Sequence, residues 1–250
     1  MVERLIAGHC VRLYDTIDDL PIVRFQKFQK YLLVDSGIGG DVLAFDRHCE
    51  KMRRYMGKGK TDLAMQEAQN LRQCVYLIQE ELNPKHRAFA CLVESIDGER
   101  TDDLSDTGLA RVFERLGGMT AGEAASELGA VKKKIDTELS VYFPALFNGS
   151  ETKEYFDLLR KRAVTILEGL ARGEVVNVDD LTTSLICFSK PKNFSGTGGI
   201  EVEFDRNFET LCLSLSENLG IAPKGCTVLE FYNAVDFLQD RARKAQQRQK

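Results

Sequence analysis

Long apolar runs are missing from this sequence, since every hydrophobic stretch is cut after a few residues by a charge or a glutamine. A membrane-crossing helix needs about 20 mostly apolar residues, so none is expected. The opening Met1-Val2-Glu3-Arg4-Leu5-Ile6-Ala7-Gly8-His9-Cys10 lacks a basic head followed by a long apolar segment, so no secretory leader is expected either. An excess of positive charge is also missing: 34 Lys and Arg face 38 Asp and Glu, a net charge of −4. Bulk electrostatics therefore cannot draw the chain to nucleic acid or to an anionic membrane, and such binding would need a local patch. Only 5 prolines and 3 histidines occur, and 43% of the residues are hydrophobic. That composition excludes collagen-like and wholly disordered classes and leaves a chain able to build its own core.

Chemical signatures are scarce as well. The three histidines, His9, His48 and His86, are dispersed, and neither Cys-x-x-Cys nor His-x-x-x-His occurs. Two neighbouring pairs, His9-Cys10 and His48-Cys49, would point about 100° apart on a helix, so no metal site is expected; Cys49 reads as buried and His48 as surface. Gly59-Lys60-Thr61 ends like a phosphate-binding loop, but the glycine needed five positions before Gly59 is Arg54, within a helical segment. The segment reads as an interhelical hinge. Gly196-Thr197-Gly198-Gly199 has no strand–loop–helix context and reads as a flexible connector. No Gly-x-Ser-x-Gly elbow is present, and no cofactor is expected. The acidic pairs Asp102/Asp103 and Asp179/Asp180 stand where carboxylates offset a helix dipole. The seven cysteines, at 10, 49, 74, 91, 187, 212 and 226, are odd in number and scattered, a pattern of reduced, mostly buried thiols in a cytoplasmic protein.

Helical periodicity is the signal that is present, and the expected fold class is mainly α. Residues 3–14 suit a short N-terminal strand or extended arm. Ile22, Phe25, Phe28 and Leu32 recur at helical spacing, with Asp19 placed to cap and Gly37 to stop the helix. Val42, Phe45, Cys49, Met52 and Met56 form one stripe, and Leu71, Cys74, Val75, Ile78 and Leu82 another. Residues 41–82 are thus predicted to fold as an antiparallel helical hairpin around Gly57-Lys58-Gly59-Lys60. Pro84 opens a helix predicted to carry Phe89, Cys91, Leu92, Val93 and Ile96, closed by the turn residues of 97–103. A short helix over Leu109–Leu116 follows, then one opened by a Thr120/Glu123 capping box and running to about Val141. Ser150 can cap a helix whose stripe is Phe156, Leu159, Ala163, Ile166, Leu167 and Leu170. The organisation expected is a helical body over 1–173, a connector or mobile loop over 174–200, and a small helical module over 201–250 with a basic tail. In that module Phe208, Leu211, Cys212, Leu215 and Leu219 make one helix, and Thr227 and Glu230 box the start of the next.

Within the module, Thr227-Val228-Leu229-Glu230-Phe231-Tyr232-Asn233-Ala234-Val235-Asp236-Phe237-Leu238, following Phe208 to Leu219, resembles the ending of bacteriophage tail-assembly chaperones and related small proteins of bacterial mobile elements. The resemblance covers the C-terminal part of the chain only, and it carries over no functional residues. It implies a non-enzymatic cytoplasmic assembly factor that shields an aggregation-prone partner, with the C-terminal helices as a contact module.

Three function classes follow. The leading expectation is a protein-binding assembly or adaptor factor, using Phe231, Tyr232, Val235 and Leu238 and, secondarily, Met52 and Met56. The alternative is a nucleic-acid-associated protein using Arg53, Arg54, Lys58 and Lys60 at the hairpin tip together with Arg241, Arg243, Lys244, Arg248 and Lys250 in the tail. Against it, no aromatics interleave these clusters and acidic residues stand nearby. The third class is an enzyme whose groups meet only in space, and its mark would be a pocket with converging titratable side chains.

Overall fold

The structure, a computed structural model, describes residues 1–250 except 118, 120, 148, 149, 175, 189, 190, 195 and 248–250; the side chains of 121, 150–156, 187, 188, 245 and 246 are likewise not described. Thr120, Ser150, Phe156, Arg248 and Lys250 of the sequence reading thus fall outside it.

Two hairpins build a small antiparallel sheet of order β1-β2-β3-β4. Strands β1 (Val2–Ile6) and β2 (His9–Leu13) are joined by Ala7-Gly8, and β3 (Val93–Ile96) and β4 (Glu99–Arg100) by Asp97-Gly98. Both turn residues have positive φ in each case, 51° and 85° in the first and 52° and 82° in the second. That is the geometry whose twist matches paired strands, and Asp-Gly adopts it readily. The Asp97 carboxylate also accepts from the Cys10 amide (2.8 Å), tying the two hairpins together. Residues 3–14, expected as one short strand or extended arm, are therefore both strands of a hairpin. The helix predicted through Val93 and Ile96 is corrected: α4 (Pro84–Leu92) ends where Val93 turns extended and pairs with β2. Long-range pairing with residues 11–13 overrides local periodicity here.

Among the described residues eleven α-helices accompany the sheet. Helices α1 (Ile22–Gly37) and α4 pack together, with α5 (Asp106–Arg115) and α6 (Ala121–Tyr142) against α4. Helix α1 is not capped by Asp19, which accepts from the Thr16 hydroxyl at 3.3 Å. Its Ile22 amide instead donates to Cys226 O (3.0 Å), while Val228 and Leu229 donate to Leu20 O and Ile17 O (2.9 and 3.1 Å). The starts of α1 and α11 (Val228–Gln247) thus satisfy each other's orphan amides. At α11 the capping box forms in both directions, Thr227 amide to Glu230 Oε2 at 2.9 Å and Glu230 amide to Thr227 Oγ1 at 3.4 Å.

Arg24, on α1, fastens the helical layer to the sheet. It is buried, its guanidinium donates to the carbonyls of Cys91 (3.3 Å), Val93 (2.9 Å) and Thr101, and it lies over the Tyr14 ring. The main core runs from Ile6, Val11 and Leu13 through Phe25, Phe28, Phe89 and Leu92 to Ile135 and Leu139, and on to Cys212, Leu215, Val228, Phe231 and Val235. Residues of α10 (Ile200–Leu219) and α11 therefore share one core with the N-terminal sheet.

Helices α2 (Val42–Gly57) and α3 (Thr61–Gln79) form the predicted antiparallel hairpin. Beyond α6 come α7 (Pro144–Phe147), α8 (Ser150–Arg172) and α9 (Asp179–Phe188), the last lying inside the stretch expected to be a connector. A second, smaller core gathers Val34, Ile38, Ala44, Cys74 and Phe194 where the hairpin meets the end of α1. Of the cysteines described, Cys74, Cys91 and Cys212 are buried, Cys49 and Cys226 half-buried and Cys10 exposed, all as free thiols.

Candidate functional site

The inner face of the α2–α3 hairpin mixes small apolar residues with hydrogen-bonding ones. Ala44, His48 and Tyr55 are buried on α2, and Ala64, Glu67, Asn70 and Cys74 on α3. The stripe expected for α2 is corrected accordingly: Val42 and Met56 are 67% and 63% exposed, whereas His48, expected at the surface, is only 2% exposed. Phe45, Cys49 and Met52 are half-buried. The helix is rotated so that residues with hydrogen-bonding partners point inward. Hydrophobic spacing carried no sign of this, because His48 and Glu67 become core residues only when each supplies the other's partner.

His48 Nδ1 lies 2.6 Å from Glu67 Oε1, and His48 Nε2 lies 2.6 Å from Ile38 O. A carbonyl can only accept, so Nε2 must donate, and a single proton then bridges Nδ1 and the carboxylate. In a hydrolytic triad the carboxylate holds one imidazole nitrogen and the other, unprotonated, accepts the proton of the nucleophile. Here both are engaged and Glu67 is 1% exposed, so the pair is an internal brace and His48 is not placed as a general base. Lys51 Nζ approaches the same carboxylate at 3.8 Å.

Residues of α9 and Lys192 meet the hairpin beside this brace. Tyr55 OH donates to Ile186 O (3.0 Å), Arg54 Nη1 to Thr183 Oγ1 (3.0 Å) and Asn70 Nδ2 to Lys192 O (3.3 Å). Arg54 also pairs with Glu50 (2.9 Å) and Asp179 (3.5 Å). Of the four cations proposed for nucleic acid, Arg54 is thus spent within the chain. Arg53, Lys58 and Lys60 are exposed around the hairpin tip, beside the exposed Met56 and Met65.

The four C-terminal residues expected to meet a partner are covered by the chain itself. Phe231 is 1% exposed and Val235 is buried, with Tyr232 and Leu238 half-buried against the main core. Tyr232 sits edge-on to Phe25, Phe147 and Phe231, with ring centroids 6.3, 5.1 and 5.5 Å away, and burial pushes its hydroxyl up to about 12. Helical spacing marks an apolar face here without saying what covers it; the cover is α1, α7 and α10.

A cleft of about 570 Å³ opens between the α3–α4 corner and α5, lined by Leu77, Leu82, Asn83, His86, Phe113 and Glu114. Glu81 stands at its lip with φ 54°, a left-handed C-terminal helix residue where glycine is usual. The His86 ring stacks on Phe113 (centroids 4.2 Å, planes 11° apart). Burial, with the Lys85 charge, lowers the His86 pKa below its ordinary 6.5. Protonation therefore favours the unfolded chain, so this contribution to stability is complete above pH 6.5 and is lost as pH falls below it. His86→Phe keeps the stack, and its urea midpoint is expected to fall less than that of the parent chain between pH 7 and pH 5; equal falls would show that another group titrates.

Helix α8 carries a second surface that periodicity misjudged. One face packs toward α9, where Arg162 Nε donates to Thr182 Oγ1 (2.9 Å) and Val176 fills the space beside Gly169. The opposite face holds Ala163, Val164, Leu167, Leu170 and Ala171, all exposed, with Leu167 and Leu170 at 64% and 69%. The expected stripe joined residues of both faces.

Among the described residues no cluster of three or more His, Cys, Asp or Glu side chains is placed to hold a metal ion, and no helix is long and apolar enough to cross a membrane. No protein-family model, no curated protein and no solved structure matches this chain.

Proposed function

We propose that this protein is a non-enzymatic assembly or adaptor factor that binds another protein, and that it does so through α8. The observation that carries this reading is the α8 face: five apolar side chains at three- and four-residue spacing, exposed on a helix whose other face is already packed. Contiguous apolar surface of this kind is costly to leave in water and marks interaction sites. The hairpin tip adds Met56 and Met65, whose flexible thioether side chains adapt to varied partner surfaces. A bacteriophage tail-assembly chaperone working in the cytoplasm is the narrower form of this proposal, and its support is the resemblance of the C-terminal helices alone.

The test is affinity capture from the native host, with and without nuclease and at two salt concentrations, followed by binding of the purified candidate. Replacing Leu167 and Leu170 by Asp touches no core residue, so the fold is expected to persist by circular dichroism while partner affinity falls at least tenfold, the effect of about 1.4 kcal/mol. Retained binding by this variant would remove α8 as the site. Exposed Arg53, Lys58 and Lys60 favour a nucleic-acid reading as the second possibility. It requires binding that falls steeply with salt and is lost on charge reversal at these three positions.

A further inference from the structure

The exposed face of α8 repeats as a seam. Arg160, Val164, Leu167 and Ala171 follow one another at intervals of four, three and four residues, the spacing that keeps one row of side chains facing a second helix, and all four are exposed. Ala163 and Leu170 stand along one flank of that row, and Lys161 and Glu168, also exposed, along the other. The seam runs to the end of the helix as regular structure, since Gly173 (φ 70°) donates to Leu170 O (3.1 Å) and the Glu174 amide to Gly169 O (2.9 Å), closing the last turn. Its direction is set from behind by the contacts with Thr182 and Val176.

The order of the two charges selects the occupant. In an antiparallel pair of identical helices the same flank of each meets the other, so a residue early in one copy faces a residue late in the second, and the reverse contact follows by symmetry. When two copies of α8 cross about a point between Thr165 and Ile166, Val164 lies opposite Leu167 of the second copy, and the apolar stem of Arg160 covers its Ala171. The same register leaves Lys161 and Glu168 of the second copy offset by only two residues, about 3 Å along the axis, and it forms that pair twice. One geometry thus matches the apolar row and the charges together. A parallel pair would instead set Lys161 and Glu168 against the uncharged flank of Ala163 and Leu170.

We propose that, when no other partner is bound, α8 pairs antiparallel with α8 of a second copy of this chain. The inference rests on the reading of α8 as the binding face and names what covers that face at rest. A contact between two single helices is at the small end of specific interfaces, so this dimer is weak and yields to a partner that offers more surface.

The experiment is sedimentation velocity on the full chain across the micromolar range, with circular dichroism to verify the fold of each variant. The parent chain is expected to pass from monomer to dimer as its concentration rises. Lys161→Glu and Glu168→Lys each turn two attractive exposed pairs into two repulsive ones, and each is expected to weaken the dimer about tenfold. An equimolar mixture of these two variants is expected to dimerise about as well as the parent, because each chain then supplies the charge that the other needs. A parent that stays monomeric throughout would overturn the pairing, as would a dimer that neither substitution weakens or a mixture that fails to recover. Partner capture separates this outcome from the reading beneath it. A monomeric parent whose partner is lost when Leu167 and Leu170 become Asp keeps α8 as the binding face and overturns only the self-pairing. A parent that dimerises as expected, yet captures its partner equally well with both leucines replaced, keeps the pairing and overturns that reading.

Discussion

Phe231→Ala is expected to lower the stability of the entire chain by about 3–5 kcal/mol, the usual cost of deleting a fully buried aromatic ring. Phe231 is 1% exposed and lies against Phe208 (5.7 Å between centroids) and Tyr232. At about 2–4 °C per kcal/mol for a chain of this length, the melting temperature should fall by roughly 10 °C. The diagnostic feature is the form of the transition. Phe231 shares its core with Leu13, Phe25 and Phe89, so a single cooperative transition should move as a whole. A low-temperature step confined to residues 201–250, with the rest melting as before, would instead show that the C-terminal helices fold as a separate module. The same variant also bears on partner capture, because any loss of binding in it must be compared with the loss of fold.

His48→Ala is expected to be as severe, about 3–5 kcal/mol, for a different reason: it strands a buried carboxylate. Among the described residues Glu67 would keep Lys51 Nζ at 3.8 Å, and Ile38 O would lose the His48 donor. If the cost comes from the unpaired charge and not from lost volume, removing both partners should be milder than removing one. His48→Leu combined with Glu67→Leu is therefore expected to recover at least half of the loss seen with His48→Ala in urea unfolding at pH 7. A double variant no more stable than the single one would show that the brace contributes through shape and not through charge.

Both variants concern residues whose placement was legible only in part. The segment of α11 was readable because Thr227 and Glu230 announce its start and Phe231, Val235 and Leu238 repeat at helical spacing. That spacing identifies an apolar face and leaves its partner open, so it cannot tell residues of the main core from a docking surface. On α2 the same reasoning set the inward face too far round, since Phe45, Cys49 and Met52 are half-buried but Val42 and Met56 face water. The rule that hydrophobic residues lie inside gave Val42 and Met56 the interior, whereas His48 and Glu67 take it by neutralising each other across two helices. On α8 the spacing predicts a core stripe, since nothing local says which apolar side chains of a helix will stay exposed.

What the sequence determined by itself is what depends on residues a few positions apart. The helical periods of α1, α2, α3 and α10, the hairpin turn at 57–60 and the capping box at 227–230 all follow from propensity and near-neighbour hydrogen bonding. Tertiary structure decided what depends on residues far apart. Val93 to Ile96 leave the helix to pair with β2, and α1 and α11 cap each other through Ile22, Cys226, Leu20 and Val228. His48 goes inside because Glu67 is there, and Phe194 joins the small core because Gly37 leaves room. In each case the free energy comes from a contact between segments distant in the chain, so no window along the sequence contains it.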